Sequence, residues 1–493
     1  MKKMLLLLFS GFLYAQPTID WDKTLGGAYS DEVMAIKTLP DGKIILVGSS
    51  DSEISGDKTE YCRGYNDYWA FLLEADGTPI WQTAIGADYT ETARKIEPAP
   101  DGGFFISGES WSGASGDKTL PNRGVNDFWI VKLDADGNLL WERSVGGDDR
   151  DEMGYLLPLA DGGVVVAGAS NSGISGDKSQ SLRGITDYWV FRIDNQGQLL
   201  WEKTIGGGGY DFPTRISLAQ NGNFLVSGSS RSAMTGDRTI PRIGTVDNWI
   251  VELSTDGQIV GQQAQPFDFD LSELISDGNY VVCGMKQYGP ETTGEYIAKR
   301  SPSGALIWEF NGPITIGLVS AKCCVSAPDG GFYYIQEHPV TGNTLTKRTT
   351  DGTLVWQRPI DMGAGIVRAL YKQPDNSLIM ATMSAADITS DKSEISRGQG
   401  DYWIVKFNPE SELSVDAPSQ SKIVAYPNPV ENVLYLSNTD GKVEIFNTLG
   451  QKIGNAEVSQ THNSVSFPYA SGNYLVRFTD QISGETQTLK IIK

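Results

Sequence analysis

Three observations predict an all-β chain, a seven-bladed β-propeller followed by a small β-sandwich. Trp21, Trp81, Trp141 and Trp201 recur every 60 residues, and each carries a whole unit of sequence with it. A short apolar strand, preceded by an Asp-Gly-type turn, recurs seven times. The last 70 or so residues change composition and carry a strand pattern of their own. A fixed period of this length means one supersecondary unit copied around a ring or along a solenoid.

One unit can be read from Trp141. A strand begins at Leu139 and ends at the Gly146-Gly147 turn, and a second covers 152–159. The tight Asp161-Gly162 turn leads to a third, Val164-Val-Val-Ala-Gly168. A long polar loop over 170–186 precedes a fourth strand over 188–193, and a turn at Gly197 returns the chain to Trp201. Short strands bounded by Gly and Asp turns are sheet chemistry, and four per unit make a propeller blade. The apolar strand gives the count. It appears as Ile44-Ile-Leu-Val-Gly48, Phe104-Phe-Ile-Ser-Gly108, Val164-Val-Val-Ala-Gly168, Phe224-Leu-Val-Ser-Gly228, Tyr280-Val-Val-Cys-Gly284, Phe332-Tyr-Tyr-Ile335 and Leu378-Ile-Met-Ala381. Units five and six are shorter, and the tryptophan position between units four and five holds Gly261.

The chain starts inside a unit, at Ile19-Asp-Trp21, and leaves the last one at Phe407 without its outer strand. The N-terminal segment is therefore expected to complete the seventh blade, which removes an exposed edge. The Asp-x-x-Gly-x-x-x-Trp turn, as over 134–141, resembles the tryptophan-docking turn of quinoprotein-like propellers. Its Gly makes the hairpin and its Trp covers the next blade. The same turn lacks the further oxygen ligands that a calcium loop needs, and no metal site or cofactor is expected.

Five units, the seventh and the first four, share a long loop. It reads Asp57-Lys58…Arg63-Gly64, then Asp117-Lys118…Arg123-Gly124, Asp177-Lys178…Arg183-Gly184, Asp237-Arg238…Arg242 and Asp391-Lys392…Arg397-Gly398. These loops emerge on the same face as the Gly-rich turns bearing Asp31, Glu91, Asp151 and Asp211. The candidate ligand-binding residues are Asp57, Lys58, Arg63, Asp117, Lys118, Arg123, Asp177, Lys178, Arg183, Asp31, Asp151 and Asp211, since binding residues gather on loops held by a rigid scaffold. The same balanced charges, repeated in each copy, also suit internal pairing that folds the loop.

Composition narrows the function classes. Lys and Arg total 40 against 61 Asp and Glu, for a formal charge of −21 with no basic block. Nucleic acid is an unsuitable partner for such a field. His338 and His462 do not share a repeat position, which removes histidine-based zinc and Ser-His-Asp chemistry from consideration. Four cysteines are too few for a disulfide scaffold at this length, although Cys283 and the Cys323-Cys324 pair could oxidise in an exported protein. Lys2 and Lys3 before an apolar run over 4–13 read as a secretory signal over 1–15, cut between Ala15 and Gln16. No other run is long enough to span a bilayer.

A polar stretch over 409–422 reads as a linker between a propeller over 16–408 and a separate β-domain over 423–493. Its strands are Val433-Leu-Tyr-Leu436, Val443-Glu-Ile-Phe446, Ser464-Val-Ser-Phe467, Tyr474-Leu-Val-Arg-Phe478 and Thr488-Leu-Lys-Ile-Ile492. The motifs Pro427-Asn428-Pro429, Asn447-Thr-Leu-Gly450, Gly472-Asn-Tyr474 and Lys490-Ile-Ile-Lys493 resemble a type A C-terminal sorting domain of the type IX secretion system. That resemblance implies a Bacteroidetes source, contact with the secretion machinery, and delivery to the cell surface or medium. It implies nothing about the propeller's ligand. Two functions are carried forward. One is a non-catalytic binding protein for a glycan or a surface protein. The other is a propeller-type extracellular enzyme, either a polysaccharide hydrolase or lyase or a quinoprotein-like dehydrogenase.

Overall fold

The structure is a computed structural model. It describes residues 16–265, 272–287, 292–301, 305–313, 315–316, 320–338, 342–363, 365, 367–410, 425–426, 429–436, 440–459, 462–480 and 486–493. The expected signal segment, Pro427, Asn428 and nearly all of the expected linker lie outside them. The chain divides into two compact units, Leu13–Ser411 and one that contains Glu412–Lys493.

Every regular element described is a strand. In the larger unit the strands form seven antiparallel sheets, six of four strands and one of five, and all but the seventh are built from consecutive segments. The first sheet runs from Asp31–Thr38 to Pro79–Ile85, the second from Glu91–Pro98 to Leu139–Val145, and the third from Asp151–Pro158 to Leu199–Ile205. The fourth runs from Asp211–Leu218 to Ile259–Gln265 and the fifth from Ser272–Leu274 to Leu306–Asn311, with Thr315–Ile316 added. The sixth runs from Ser320–Ser326 to Leu354–Ile360. The seventh joins Val367–Lys372, Leu378–Ser384 and Asp401–Phe407 to the N-terminal strand Ile19–Leu25, with Trp21 opposite Lys406 and Leu25 opposite Tyr402. This is the repeated four-stranded architecture of a β-propeller.

Residue choice explains each strand. Second strands such as Ile44–Ser50 and third strands such as Asp67–Leu73 are buried at every position, because a sheet lies against each face. Outer strands such as Leu139–Val145 are exposed at one end and buried at the other. The cores lie between sheets. Sheets seven and one share Leu25, Ile36, Leu46, Phe71, Ile379 and Ile404. Sheets six and seven share Tyr333, Ile335, Met380 and Val405.

The repeated tryptophans join one sheet to the next. The Trp21 indole N–H donates to the Ala75 carbonyl at 3.1 Å, Trp81 to Ala135 at 3.0 Å, Trp141 to Asn195 at 3.1 Å, Trp201 to Thr255 at 3.2 Å and Trp308 to Thr350 at 3.1 Å. Each acceptor lies in the outer turn of the following sheet, and the glycine of that turn sits under the ring. Gly137 has φ +84° and a Cβ there would stand 2.8 Å from Trp81; at Gly197, φ +81°, it would stand 3.1 Å from Trp141. Both the left-handed backbone and the ring contact require glycine. Trp356 turns instead to the Glu410 carboxylate at 2.6 Å.

Cys283 in Tyr280–Gln287 and Cys324 in Ser320–Ser326 form a disulfide, so sheets five and six are linked covalently. Cys62 and Cys323 lie outside the disulfide.

The smaller unit is two sheets over one core. Ala425–Tyr426, Val433–Leu436 and Ser464–Ser466 form one. Lys452–Val458, Gly441–Phe446, Asn473–Asp480 and Thr486–Ile492 form the other. Leu434, Val443, Ile445, Phe467, Val476 and Phe478 fill the space between. The sequence pattern did not reveal Lys452–Val458. It is an edge strand, Lys-Ile-Gly-Asn-Ala-Glu-Val, with little buried and hence weak apolar alternation.

Two outcomes test this architecture. Replacing Trp141 with Ala removes one sheet-to-sheet contact and costs about 3 kcal/mol, measured from the denaturant midpoint; G137A, which strains the next contact, also destabilises. A chain beginning at Ser30 loses Trp21 and exposes the edge of Asp401–Phe407. It should melt lower and self-associate in sedimentation, whereas an unchanged monomer would show that Ile19–Leu25 is dispensable.

Candidate functional site

The first strand of each sheet starts at the looped face and runs away from it. Gly-rich turns therefore lie beside the long loops, as the bridges Asn66 to Thr90, Asn126 to Arg150, Thr186 to Tyr210 and Ser30 to Gly400 record. The loops form a repeated lattice of charge. Arg397 reaches Asp57 at 2.6 Å, Arg63 reaches Asp117 at 3.0 Å, Arg123 reaches Asp177 at 3.0 Å and Arg183 reaches Asp237 at 2.9 Å. Each arginine thus holds the loop of the next sheet. Each of these aspartates also accepts a backbone N–H across the same joint, from Gly26, Gly86, Gly146 and Gly206. Where the next sheet lacks the loop, Arg242 folds back on the carbonyls of Gly244 and Arg231.

The lysines are buried. Lys58 donates to Ser50 Oγ at 2.8 Å above the Trp69 ring, and Lys178 donates to Ser170 Oγ at 2.9 Å above Trp189. Lys118 donates to the Ser112 and Leu120 carbonyls and to Asn122. In the fourth copy Arg238 takes the same place and forks onto Asp247 at 2.9 and 2.6 Å with both side chains fully buried. Burial lowers the pKa of Lys58, Lys118 and Lys178.

The turn carboxylates are buried too. Asp31 accepts from the Gly27 N–H at 2.6 Å and Ser52 Oγ at 3.1 Å; Asp151 accepts from Gly147 and Ser172, and Asp211 from Gly207 and Ser232. Burial raises Asp31 and Asp211 and pushes Asp151 up to about 6, against these bonds. Asp187 is pushed to about 6 by burial, with the nearby Asp211 charge adding to the rise. The structure therefore brings all twelve sequence-selected residues to one face, and it spends their charges on neighbouring side chains and on the backbone.

Sequence reasoning passed over what the loops leave outside. Ile54, Ile174, Met234 and Ile388 occupy the same position, just before the Ser or Thr of four of the five loops, and are exposed; Ala114 holds that position in the second loop. Tyr65, Val125 and Ile185 follow the Arg-Gly pair and are also exposed. In the first loop Tyr61 and Tyr65 are each 68 % exposed, and Tyr65 meets Tyr89 edge to face at 5.0 Å. Each stands at a fixed offset from a loop charge, so the repeat alignment held the signal. Among the described residues, no group of three or more His, Cys, Asp or Glu is placed to hold a metal ion.

In the smaller unit Gly472 and Lys493 exchange backbone hydrogen bonds, each at 2.9 Å, and Lys493 Nζ donates to the Phe467 carbonyl at 2.6 Å. Tyr474 donates to the Ala470 carbonyl at 2.6 Å. Gly450 closes a turn with φ +75°, and Lys490 is exposed in Thr486–Ile492. Pro429 is described just ahead of Val433–Leu436.

The buried carboxylates predict a pH response. Asp151 and Asp187 titrate near 6 in the folded protein against an ordinary 3.8. Between these values the folded chain holds protons that the unfolded chain has released, so stability from these groups is present below the window and is lost as pH rises through it. The double variant D151N/D187N removes that loss. Its stability relative to the parent should increase from pH 4 to pH 7 in thermal melts; a constant difference would show that these groups titrate normally.

Comparison with known proteins gives three kinds of match. Over 240 residues the chain is 26% identical to the regulatory protein FlaEY of Caulobacter vibrioides, covering 43% of this chain and 25% of that one. The chain spans a quarter or less of the length of the curated relatives it matches. Among solved structures, it is similar to a polysaccharide lyase, an ulvanlyase, at a TM-score of 0.46 and 10% identity, covering 79% of this chain and 97% of that one. It is similar to PorZ of Porphyromonas gingivalis, a surface component of the type IX secretion system, at a TM-score of 0.27 and 11% identity, covering 97% and 86%. Residues 424–493 match the secretion system C-terminal sorting domain. The chain thus carries a type IX sorting domain at residues 424–493, and that domain implies export to the cell surface or secretion.

Proposed function

We propose that this chain is an exported, non-catalytic binding protein. In this reading a signal segment over 1–15 precedes a closed seven-bladed propeller over 16–408, and a linker joins it to the sorting domain. Closure is supported by the joint between sheets seven and one, which repeats the others. Trp21 docks on Ala75, Arg397 pairs with Asp57, and Tyr402 Oη donates to the Trp69 carbonyl at 3.1 Å, as Tyr68 does to Trp129 at 3.2 Å.

One observation carries the binding reading: loop charges are consumed internally while an apolar residue recurs at the same exposed position. Asp57, Lys58, Arg63 and their copies, with Asp31, Asp151 and Asp211, then serve binding by fixing the loops. Contact with ligand falls to tips such as Ile54, Tyr61, Tyr65, Tyr89, Ile174 and Ile185. Catalysis needs a group set apart from its copies, whereas these charges are nearly equivalent from sheet to sheet. The tyrosine cluster suits a glycan, since an aromatic ring offers both an apolar face and a hydroxyl; a surface protein is the other partner class.

The test compares two triple variants on a glycan array and in capture of surface proteins. Replacing Tyr61, Tyr65 and Tyr89 with Ala should abolish capture at unchanged melting temperature. Replacing Asp117, Lys118 and Arg123 with Ala should lower melting first. Capture that survives the tyrosine variant would sink the tip reading. For export, deletion of Lys490 to Lys493 in the native host should leave the protein in the periplasm, and normal surface delivery would overturn the role given to that end.

A further inference from the structure

The end of the first strands farthest from the loops holds a second feature, independent of the looped face. Second-half residues of the first strands of sheets one, two, three, four and seven line a single cavity of about 510 Å3. Lys37, Lys95 and Arg215 contribute cations to it, and among the described residues Glu97 is the one carboxylate in its lining. A neighbouring cavity of about 300 Å3 shares Tyr371 and adds Arg368 and Lys372, with no carboxylate among the described residues of its lining. The combined wall is therefore cationic in a chain whose formal charge is −21.

Local backbone makes this wall. The first strands carry register shifts between Val33 and Ala35, Ala93 and Lys95, Pro213 and Arg215, and Val367 and Ala369. A bulge inserts a residue and re-aims the side chains after it. Some of the charge is already engaged: Lys37 pairs with Glu97, Arg368 pairs with Glu32, and Lys95 stands 5.2 Å over the Tyr155 ring. Among the described residues, neither Arg215 nor Lys372 has an ion-pair partner. Solubility would be served equally well by placing such cations on an outer strand, in reach of the abundant carboxylates. Lys37, Lys95 and Arg215 converging on the larger cavity, with Arg215 unneutralised, form instead a focused positive potential.

We propose that this cavity binds a compact polyanion, a small molecule carrying at least two carboxylate, phosphate or sulfate groups. Arg215 meets its charges, and Lys37 and Lys95 hold the surrounding field. The volume lies within the range of about 300–1,000 Å3 common for small-molecule sites, room for a disaccharide acid or a pyrophosphate.

The experiment is calorimetric titration of the full chain at about 50 mM salt with three probes: inorganic pyrophosphate, digalacturonate and neutral maltose. Saturable binding of an anion is expected, with no heat from maltose. A response to digalacturonate alone assigns a sugar-acid ligand, and a response to pyrophosphate alone assigns a phosphate ligand. The variant R215A should weaken binding about tenfold, the loss of one charge-assisted contact. R215Q keeps part of the stem and should weaken it likewise if the alanine variant lowers melting. Salt of about 0.5 M should weaken binding further. The variant lacking Tyr61, Tyr65 and Tyr89 should bind the anion as the parent does, so failure of the looped-face reading and of this one are separable. The proposal is overturned if neither anion binds saturably, if maltose binds equally, or if folded charge-free variants retain the parent's affinity.

Discussion

The contact between an indole and a left-handed glycine organises the larger unit. A sheet of four short strands buries both faces only against neighbours, so something must set the angle and spacing of each joint. Trp21, Trp81, Trp141, Trp201 and Trp308 do this in the same way, with the ring over a turn glycine and the N–H on a carbonyl of the same turn. The geometry needs two residues at once. A side chain at Gly137 would collide with Trp81, and a smaller ring would lose both the carbonyl and the packing.

The looped face is a consequence of that spacing. Once adjacent sheets are held in one relation, an arginine of fixed length can reach the loop of the next sheet every time. Arg63, Arg123, Arg183 and Arg397 do so at 2.6 to 3.0 Å. Pairs exposed to this degree contribute about 1 kcal/mol or less each. Their effect is on shape: they pin loops whose second cation, Lys58, Lys118, Lys178 or Arg238, is already buried. Rigid loops present their tips at little entropic cost on binding.

Sheets five and six follow other rules. Gly261 stands where the tryptophan of sheet four would be, and sheet five carries no long loop. The Cys283–Cys324 disulfide spans the next joint, across 41 residues of sequence. A crosslink closing a loop of that length stabilises by about 4 kcal/mol in the chain-entropy account. An exported protein meets the oxidising conditions under which such a bond persists. The repeat thus weakens where a covalent link takes over.

The sequence by itself determined the repeat, most of the strands and turns, and the character of the tail. Those features are local. Asp-Gly turns, apolar runs and the 60-residue interval are properties of neighbouring residues, and the sorting domain is legible in short motifs. The sequence also located the charged loop residues, but not what they touch. Whether Lys58 points to ligand or lies buried over Trp69 depends on the packing of a ring against a loop, and Arg63 finds Asp117 only when two sheets are placed side by side. The cavity lined by Lys37, Lys95 and Arg215 was equally invisible, because these residues lie about 60 or more positions apart and meet only when five first strands converge. Contacts along the chain follow from local stereochemistry; contacts between copies exist only once burial has brought the sheets together.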